Sequence, residues 1–405
     1  NILDHGHPGD ELRDGRWYDT AMLAPNGRYV PTDMFNAYLE AYSYKYFFNP
    51  VFGWTLLKTA FYMPLFLVSL AMIVAFFVAY RLVGNNPIAG LFAGLWIVIV
   101  PNFLSRTVAG FSDTDPYTVL MPLLILGCVY EAYYQTKWFK YVWMSLAGFF
   151  TGVFASAWIG WTFVFDVVMA TFFIYGFYIV IKKREMLKSH IGLFITYLAS
   201  SFVFTGILRQ WDIIIQAILG PIWFINIKNI AATKIWPNVL TTVAEQNDLS
   251  MSGVIQGMGG YVAILFVIFA VCYFAYKKRY LSLTLALLFI GATTFAGTKG
   301  TRYTQLMMPI VSLCIGVSCA VLYRLGRDFF KKHSTVSSKI RDVSFTIGFV
   351  IVMGLLFYPT YSQAKYVSIN ELPSIDDGWW NALDKIKQES APNAIIASWW
   401  DWGHW

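Results

Sequence analysis

Ser105-Arg106-Thr107-Val108-Ala109-Gly110-Phe111-Ser112-Asp113-Thr114-Asp115-Pro116-Tyr117 separates two apolar runs. Before it, Ile88 to Leu104 carries no charged residue, and after it neither does Thr118 to Tyr130. Such runs read as membrane-crossing helices. A carboxylate in a bilayer core is costly and is kept out unless paired, hydrated or bound to a cation. Asp113 and Asp115 therefore sit at the mouth of a membrane-embedded segment for a reason. Two carboxylates one residue apart on a turn aim oxygen ligands at one spot, which suits a hard divalent metal. The same residues also read as a cap for the following helix, with Asp a good N-cap and Pro116 a good first-turn residue. From this stretch alone both readings stand.

The composition extends the membrane reading to the whole chain. Of 405 residues, 57% are hydrophobic, 19% aromatic and 13% charged. Mean hydropathy is +0.54. A soluble domain carries nearer a quarter charged residues. The net charge of +7 does not point to nucleic acid, because the cations sit in short loops between apolar runs. Cys128, Cys272, Cys314 and Cys319 all lie inside apolar runs, so they read as small buried side chains rather than as a disulfide or zinc set. The chain begins at Asn1 and stops inside a tryptophan-rich motif, and the expectation is a piece of a longer protein.

Ten runs of roughly spanning length follow one another, at 56–80, 88–104, 117–134, 141–159, 162–181, 190–208, 254–276, 281–297, 304–324 and 342–362. Every second connection is basic: Arg81; Lys137 and Lys140; Lys182, Lys183, Arg184 and Lys188; Lys277, Lys278 and Arg279; and Arg324 to Arg341. By the positive-inside pattern these form a cytoplasmic face. The other face holds most of the unpaired acids and is expected to be extracytoplasmic. An outward-facing transferase has no access to cytosolic nucleotides, so it would need a pre-activated donor carried on a lipid. The expected division is residues 1–55 as an external loop, 56–362 as a multi-span domain with a long external loop at 209–253, and 363–405 as the start of an external soluble α/β domain. In that last part a helix runs from Asp376 to Ser390 and a strand covers 393–398.

Several outer-face segments bear on chemistry. His5 and His7 are open to a metal reading, although a solvated loop histidine is the commoner case. The apolar stretch from Trp211 to Ile227 is broken by Gly220-Pro221 and reads as an interfacial helix or a short span. Glu245 is the only acid between Asp212 and Asp248. Gly297 to Tyr303 places Lys299 and Arg302 on a tight turn at a helix start. It lacks the glycine spacing of a P-loop. Free N–H groups and two cations there suit a phosphate, and equally an anchor at the interface.

The tail carries Trp399-Trp400-Asp401-Trp402-Gly403. This resembles the WWDYG motif of oligosaccharyltransferase catalytic subunits, the STT3/AglB/PglB family of archaeal or bacterial type, with Trp in place of Tyr. Three further segments are similar to that family in the same order. Ser105 to Tyr117 resembles its second Asp motif, Thr242-Val243-Ala244-Glu245 its TIxE or SVSE motif, and Gly300 to Thr304 the segment whose arginine faces the donor pyrophosphate. The resemblance covers essentially the whole chain. It implies a polytopic α-helical membrane protein of GT-C-type glycosyltransferase architecture. The first span with its Asp motif and the C-terminal DK or MI motif would lie outside the chain, so the chain by itself should be inactive. The family has thirteen spans, more than the runs counted above.

The resemblance further implies an enzyme, a dolichyl or undecaprenyl (pyro)phosphooligosaccharide–protein glycosyltransferase. It would move an oligosaccharide en bloc from a polyprenyl carrier to the Asn amide of an Asn-X-Ser/Thr sequon, with inversion. Asp113, Asp115 and Glu245 would hold Mg²⁺ or Mn²⁺. Glu245 would also accept from the acceptor amide, and Arg302, helped by Lys299, would neutralise the leaving phosphate. Arg106 is close enough in sequence to orient Asp113. Trp399, Trp400 and Asp401 would bind the sequon hydroxyl. The expected partners are the lipid-linked donor, the acceptor polypeptide and membrane lipid, with no nucleic acid and no second subunit. Two other readings remain at this point. One is a GT-C transferase using a polyprenyl-phosphate monosaccharide. The other is a lipid-linked sugar transporter or flippase, for which Glu131 and Asp166 are the intramembrane acids.

Overall fold

The computed structural model describes residues 1–213, 215, 217–220, 247–333, 337–370, 377–391 and 394–396. Two compact units emerge, one of residues 1–61 with the chain from 370 onward, the other spanning Tyr62–Ile369.

The first unit opens with a small sheet where the sequence pattern predicts a loop. Strands β1 (Glu11–Arg13), β2 (Arg16–Asp19) and β3 (Arg28–Tyr29) form an antiparallel sheet in that order. Asp14-Gly15 makes the first hairpin, with φ of 50° and 73° at the two positions. Positive φ at both central residues is what a type I′ turn requires, and Asp-Gly supplies it at low cost. Arg13 lies over the Tyr18 ring at 3.9 Å, and Tyr18 meets Tyr29 edge-on at 5.0 Å. The tyrosine-rich stretch after Met34 is helical over Phe35–Ser43 and continues as a wider turn through Phe48. In the C-terminal part a helix covers Asp377–Glu389, close to expectation. The expected strand is not seen at 394–396, and the Ala394 N–H donates to the Ala391 carbonyl.

The long helices are α1 (Leu56–Leu82), α2 (Pro87–Ile99), α3 (Tyr117–Tyr134), α4 (Phe139–Ala157), α5 (Thr162–Lys182) and α6 (Leu187–Leu208). Further along the chain come α7 (Met251–Gly257), α8 (Tyr261–Tyr276), α9 (Tyr280–Lys299), α10 (Met308–His333) and α11 (Ser338–Asn370). Among the described residues seven helices are long and apolar enough to cross a membrane, or eight if α7 and α8, bent by 82°, form one span. Three of the ten expected runs fall outside the seven: α4 is 19 residues long and unbroken but not apolar enough, and the other two are interrupted for local reasons. Val100 precedes Pro101 and is pushed out of the helical region to φ −83°, ψ 118°. The ring of a following proline forces this. The expected run 88–104 therefore splits into the 13-residue α2 and a four-residue turn at Pro101–Leu104. The run 254–276 breaks at Gly259-Gly260, whose φ values of 106° and 88° only glycine adopts readily.

Within Tyr62–Ile369 the helices α3 and α10 form the buried centre, while α11 is almost wholly exposed and presents apolar residues outward. An apolar exterior of this kind suits lipid. Close approach comes from small residues. A Cβ on Gly148 would stand 2.7 Å from Ser201 N, and one on Gly152 2.7 Å from the Phe204 carbonyl carbon, so α4 lies directly on α6.

The basic connections gather at one end of this unit. Arg81 is bidentate to Glu131 at 2.6 and 3.0 Å, Lys140 donates to Ser189 at 2.6 Å, and Arg279 donates to the Leu82 carbonyl. The acidic turn lies at the opposite end of α3, and the helix between them rises about 27 Å.

Candidate functional site

Three segments build the site. The loop 105–116 enters α3 and carries Arg106, Asp113 and Asp115. The turn Pro101–Leu104 precedes it. A 3₁₀ segment, Thr301–Met307, joins α9 to α10 and carries Arg302. Hydrogen bonds tie these together: Asn102 Nδ2 donates to Thr304 Oγ1 at 2.5 Å, and Thr118 Oγ1 lies 3.3 Å from the Gln305 amide. The Tyr303 ring lies 5.6 Å from that of Phe163 on α5, tilted by 48°. In a 3₁₀ turn successive residues point about 120° apart. Tyr303, Thr304 and the pair Arg302/Gln305 accordingly reach three different neighbours.

Arg302 faces both carboxylates. Its Nη2 lies 3.6 Å from Asp113 Oδ2 and its Nε 3.5 Å from Asp115 Oδ1. Arg106 Nη1 lies 3.7 Å from Asp115 Oδ2. Arg106 thus addresses Asp115 and not Asp113, its expected partner. The two aspartates differ in setting. Asp115 is fully buried, whereas the Asp113 side chain keeps 43% of its exposure and accepts from its neighbour Thr114 N–H. The cap reading is answered in part. Asp115 accepts through its main-chain oxygen from Thr118 N–H and the Thr118 hydroxyl, so its backbone starts α3 while its carboxylate faces the arginines.

The other sequence-predicted residues fall as follows. Lys299 ends α9 with its ammonium 5.8 Å from the Phe295 ring, and it has no carboxylate partner among the described ion pairs. Glu245, Trp399, Trp400 and Asp401 lie outside the described residues. Among the described residues His5 and His7 join no group that could hold a metal. His7 stacks on Trp17 at 3.5 Å, and its Nδ1 bonds to the Gly9 carbonyl at 2.8 Å. Glu131 is held by Arg81 at the basic end, which accounts for that intramembrane acid without transport. Asp166 lies near the start of α5. Sequence reasoning missed Asn102, Thr118, Thr304 and Gln305. Each is a polar residue inside an apolar run next to a motif, which is the signal that marks them.

Asp113 and Asp115 are hard oxygen donors, and a hard dication accepts such donors. Their two charges are matched by two guanidiniums, so a dication here needs additional carboxylate charge. Glu245 is the acid the sequence offers for it. Among the described residues no group of three or more His, Cys, Asp or Glu gathers. The pair fits one half of a divalent-metal site.

Comparison with known proteins gives a consistent answer. The family model described as "Oligosaccharyl transferase STT3, N-terminal" matches residues 1–361. The dolichyl-phosphooligosaccharide-protein glycotransferase of Methanococcus voltae is 23% identical, over 100% of this chain and 55% of that protein. The chain therefore spans about half the length of such relatives. The structure of the Archaeoglobus fulgidus oligosaccharyltransferase tethered with an acceptor peptide containing the NVT sequon superposes with a TM-score of 0.66. Identity is 17%, and the match covers 100% of this chain and 57% of that one. The same protein in complex with Zn and sulfate matches with a TM-score of 0.60 and 14% identity, over 97% and 50% of the two chains. The likeness shows the fold, a multi-pass helical membrane protein of GT-C type.

Proposed function

We propose a function for a chain that belongs to the oligosaccharyl transferase STT3 family: in the intact protein it moves an oligosaccharide from a polyprenyl (pyro)phosphate carrier to the side-chain amide of Asn in an Asn-X-Ser/Thr sequon. The observation that carries this is Arg302 facing both Asp113 and Asp115. It sets an anion-binding cation beside two hard oxygen donors, at the end of the bundle away from the basic loops. The relatives' printed names and the acceptor peptide in one solved relative support the same donor and acceptor classes.

The physical problem is the acceptor. An amide nitrogen is a poor nucleophile because its lone pair is delocalised. Asp113, Asp115 and Glu245 would hold Mg²⁺ or Mn²⁺, which when bound supplies electrostatic stabilisation and a template. Glu245 would accept from the carboxamide N–H and so weaken its conjugation. Arg302, a planar bidentate donor, would take up charge growing on the leaving phosphate, with Lys299 as a second cation. Trp399, Trp400 and Asp401 would enclose the sequon hydroxyl. A site built to bond a hydroxyl rejects analogues lacking it strongly. Displacement would be inverting, the chemistry would face the extracytoplasmic side, and the subunit would act alone. On this reading residues 1–55 and 363–405 lie outside the membrane.

The test is the intact protein with a dolichyl-linked donor and two peptides, Asn-X-Thr and Gln-X-Thr. Glycopeptide should form only with the first and should vanish on adding EDTA, returning with Mn²⁺. Transfer to the Gln peptide, or transfer unaffected by EDTA, would overturn it.

A further inference from the structure

Beneath the acidic turn lies a buried polar contact that the transfer scheme leaves without a role. Thr118 and Gln305 are each 1% exposed. Thr118 Oγ1 stands 2.7 Å from the Asp115 main-chain oxygen and 3.3 Å from the Gln305 side-chain oxygen. A hydroxyl carries one proton. The 2.7 Å contact takes it, so a carboxamide oxygen at 3.3 Å would face a lone pair with no proton between. Gln305 Nε2 is meanwhile buried with no acceptor among the described residues. Turning the amide by half a rotation removes the first fault and exchanges the second for a milder one. Its two ends are told apart by their hydrogen bonds, not by their positions. The oxygen then takes the buried place of Nε2, and an under-satisfied acceptor is met more often than an orphaned donor.

We infer that Gln305 Nε2–H donates to Thr118 Oγ, whose own proton goes to the Asp115 carbonyl, and that this chain of two bonds sets the position of Arg302 against Asp115. Gln305 follows Arg302 by three residues, one turn of a 3₁₀ segment, so both lie on the same side of it. Thr118 belongs to the first turn of α3, directly after the acidic loop. The chain of bonds therefore joins the turn that carries the guanidinium to the loop that carries the carboxylates. Both residues are too buried to touch substrate. They are positioning residues, acting through the 3.5 Å spacing between Arg302 and Asp115.

The inference uses the proposed transfer only as a readout. Four variants of the intact protein are compared: Gln305→Met, which keeps length but cannot donate; Thr118→Val, which keeps shape but loses the hydroxyl; Thr118→Ser, which keeps it; and the Met/Val double variant. Gln305→Met and Thr118→Val should each lower kcat about 3- to 10-fold, with the acceptor-peptide KM unchanged. The double variant should fall no further than either single one, and Thr118→Ser should match the parent. Losses that multiply, a Ser variant as poor as the Val variant, or no loss at all would overturn the inference. If the parent makes no glycopeptide, the transfer reading fails, and hydrogen exchange of the amides from Tyr303 to Leu306 decides instead. Faster exchange in the Met and Val variants but not in Ser is expected, and equal exchange in all would overturn it.

Discussion

Asp115→Asn removes one charge from a side chain with no solvent exposure and leaves its shape. Two guanidiniums face that charge, Arg302 at 3.5 Å and Arg106 at 3.7 Å. At an effective dielectric of 20 each pair has a gross attraction of about 4–5 kcal/mol. Desolvation of the carboxylate cancels much of it, and the arginine side chains keep 24% and 19% of their exposure, which screens the rest. The net loss is about 2–4 kcal/mol. Asp113→Asn removes a charge from the same Arg302 at nearly the same distance, 3.6 Å, but from a side chain that is 43% exposed. Solvent holds that loss within about 1 kcal/mol. Burial, with distance nearly constant, thus sets the order. Tryptophan fluorescence of the protein in lipid nanodiscs, heated at one fixed rate, reads it. Asp115→Asn should lower the unfolding midpoint by about 5–10 °C and Asp113→Asn by no more than about 3 °C. Equal shifts, or a larger one at Asp113, would refute the argument from burial.

Two further predictions concern parts away from the cluster. Gly152→Leu drives a side chain into the Phe204 backbone on α6 and should cost about 1–3 kcal/mol or more, seen as a lower midpoint in the same assay; an unchanged midpoint would mean that α4 and α6 are not in backbone contact. Near the N-terminus, the Thr20 hydroxyl and N–H hold the Asp10 carboxyl below its ordinary value of 3.8. A depressed folded value means the contact stabilises above the unfolded value and is lost as pH falls through the folded one. Exchange protection of the β2 amides should drop below about pH 4, and Thr20→Val should weaken that dependence. A pH response identical in the variant would count against it.

Much of the bundle was legible because bilayer chemistry writes long apolar runs and basic connections into a sequence. Local backbone rules were harder to see against that background. Pro101 cuts α2 short, and Gly259-Gly260 bends the α7–α8 pair, yet both lie inside runs that read as continuous. Asp14-Gly15 is a plain hairpin signal, but it sits between strands too short to show alternation. At the site the sequence singled out Asp113, Asp115 and Arg302, and the fold brings them together. It misdirected Arg106, because nearness in sequence does not tell which of two aspartates is turned inward. Thr118 and Gln305 are 187 residues apart, and no periodicity links positions so distant.

The central claim is that the acidic turn and Arg302 form one half of a transferase centre completed by Glu245. The measurement that meets it most directly is glycopeptide formation by the intact protein, followed by mass spectrometry, with Asp113 and Glu245 both changed to Ala. The parent should attach the complete oligosaccharide to the Asn of an Asn-X-Thr peptide. The double variant should form none while remaining folded and still presenting Arg302 to the donor. Glycopeptide from the double variant at the parent's rate would contradict the account.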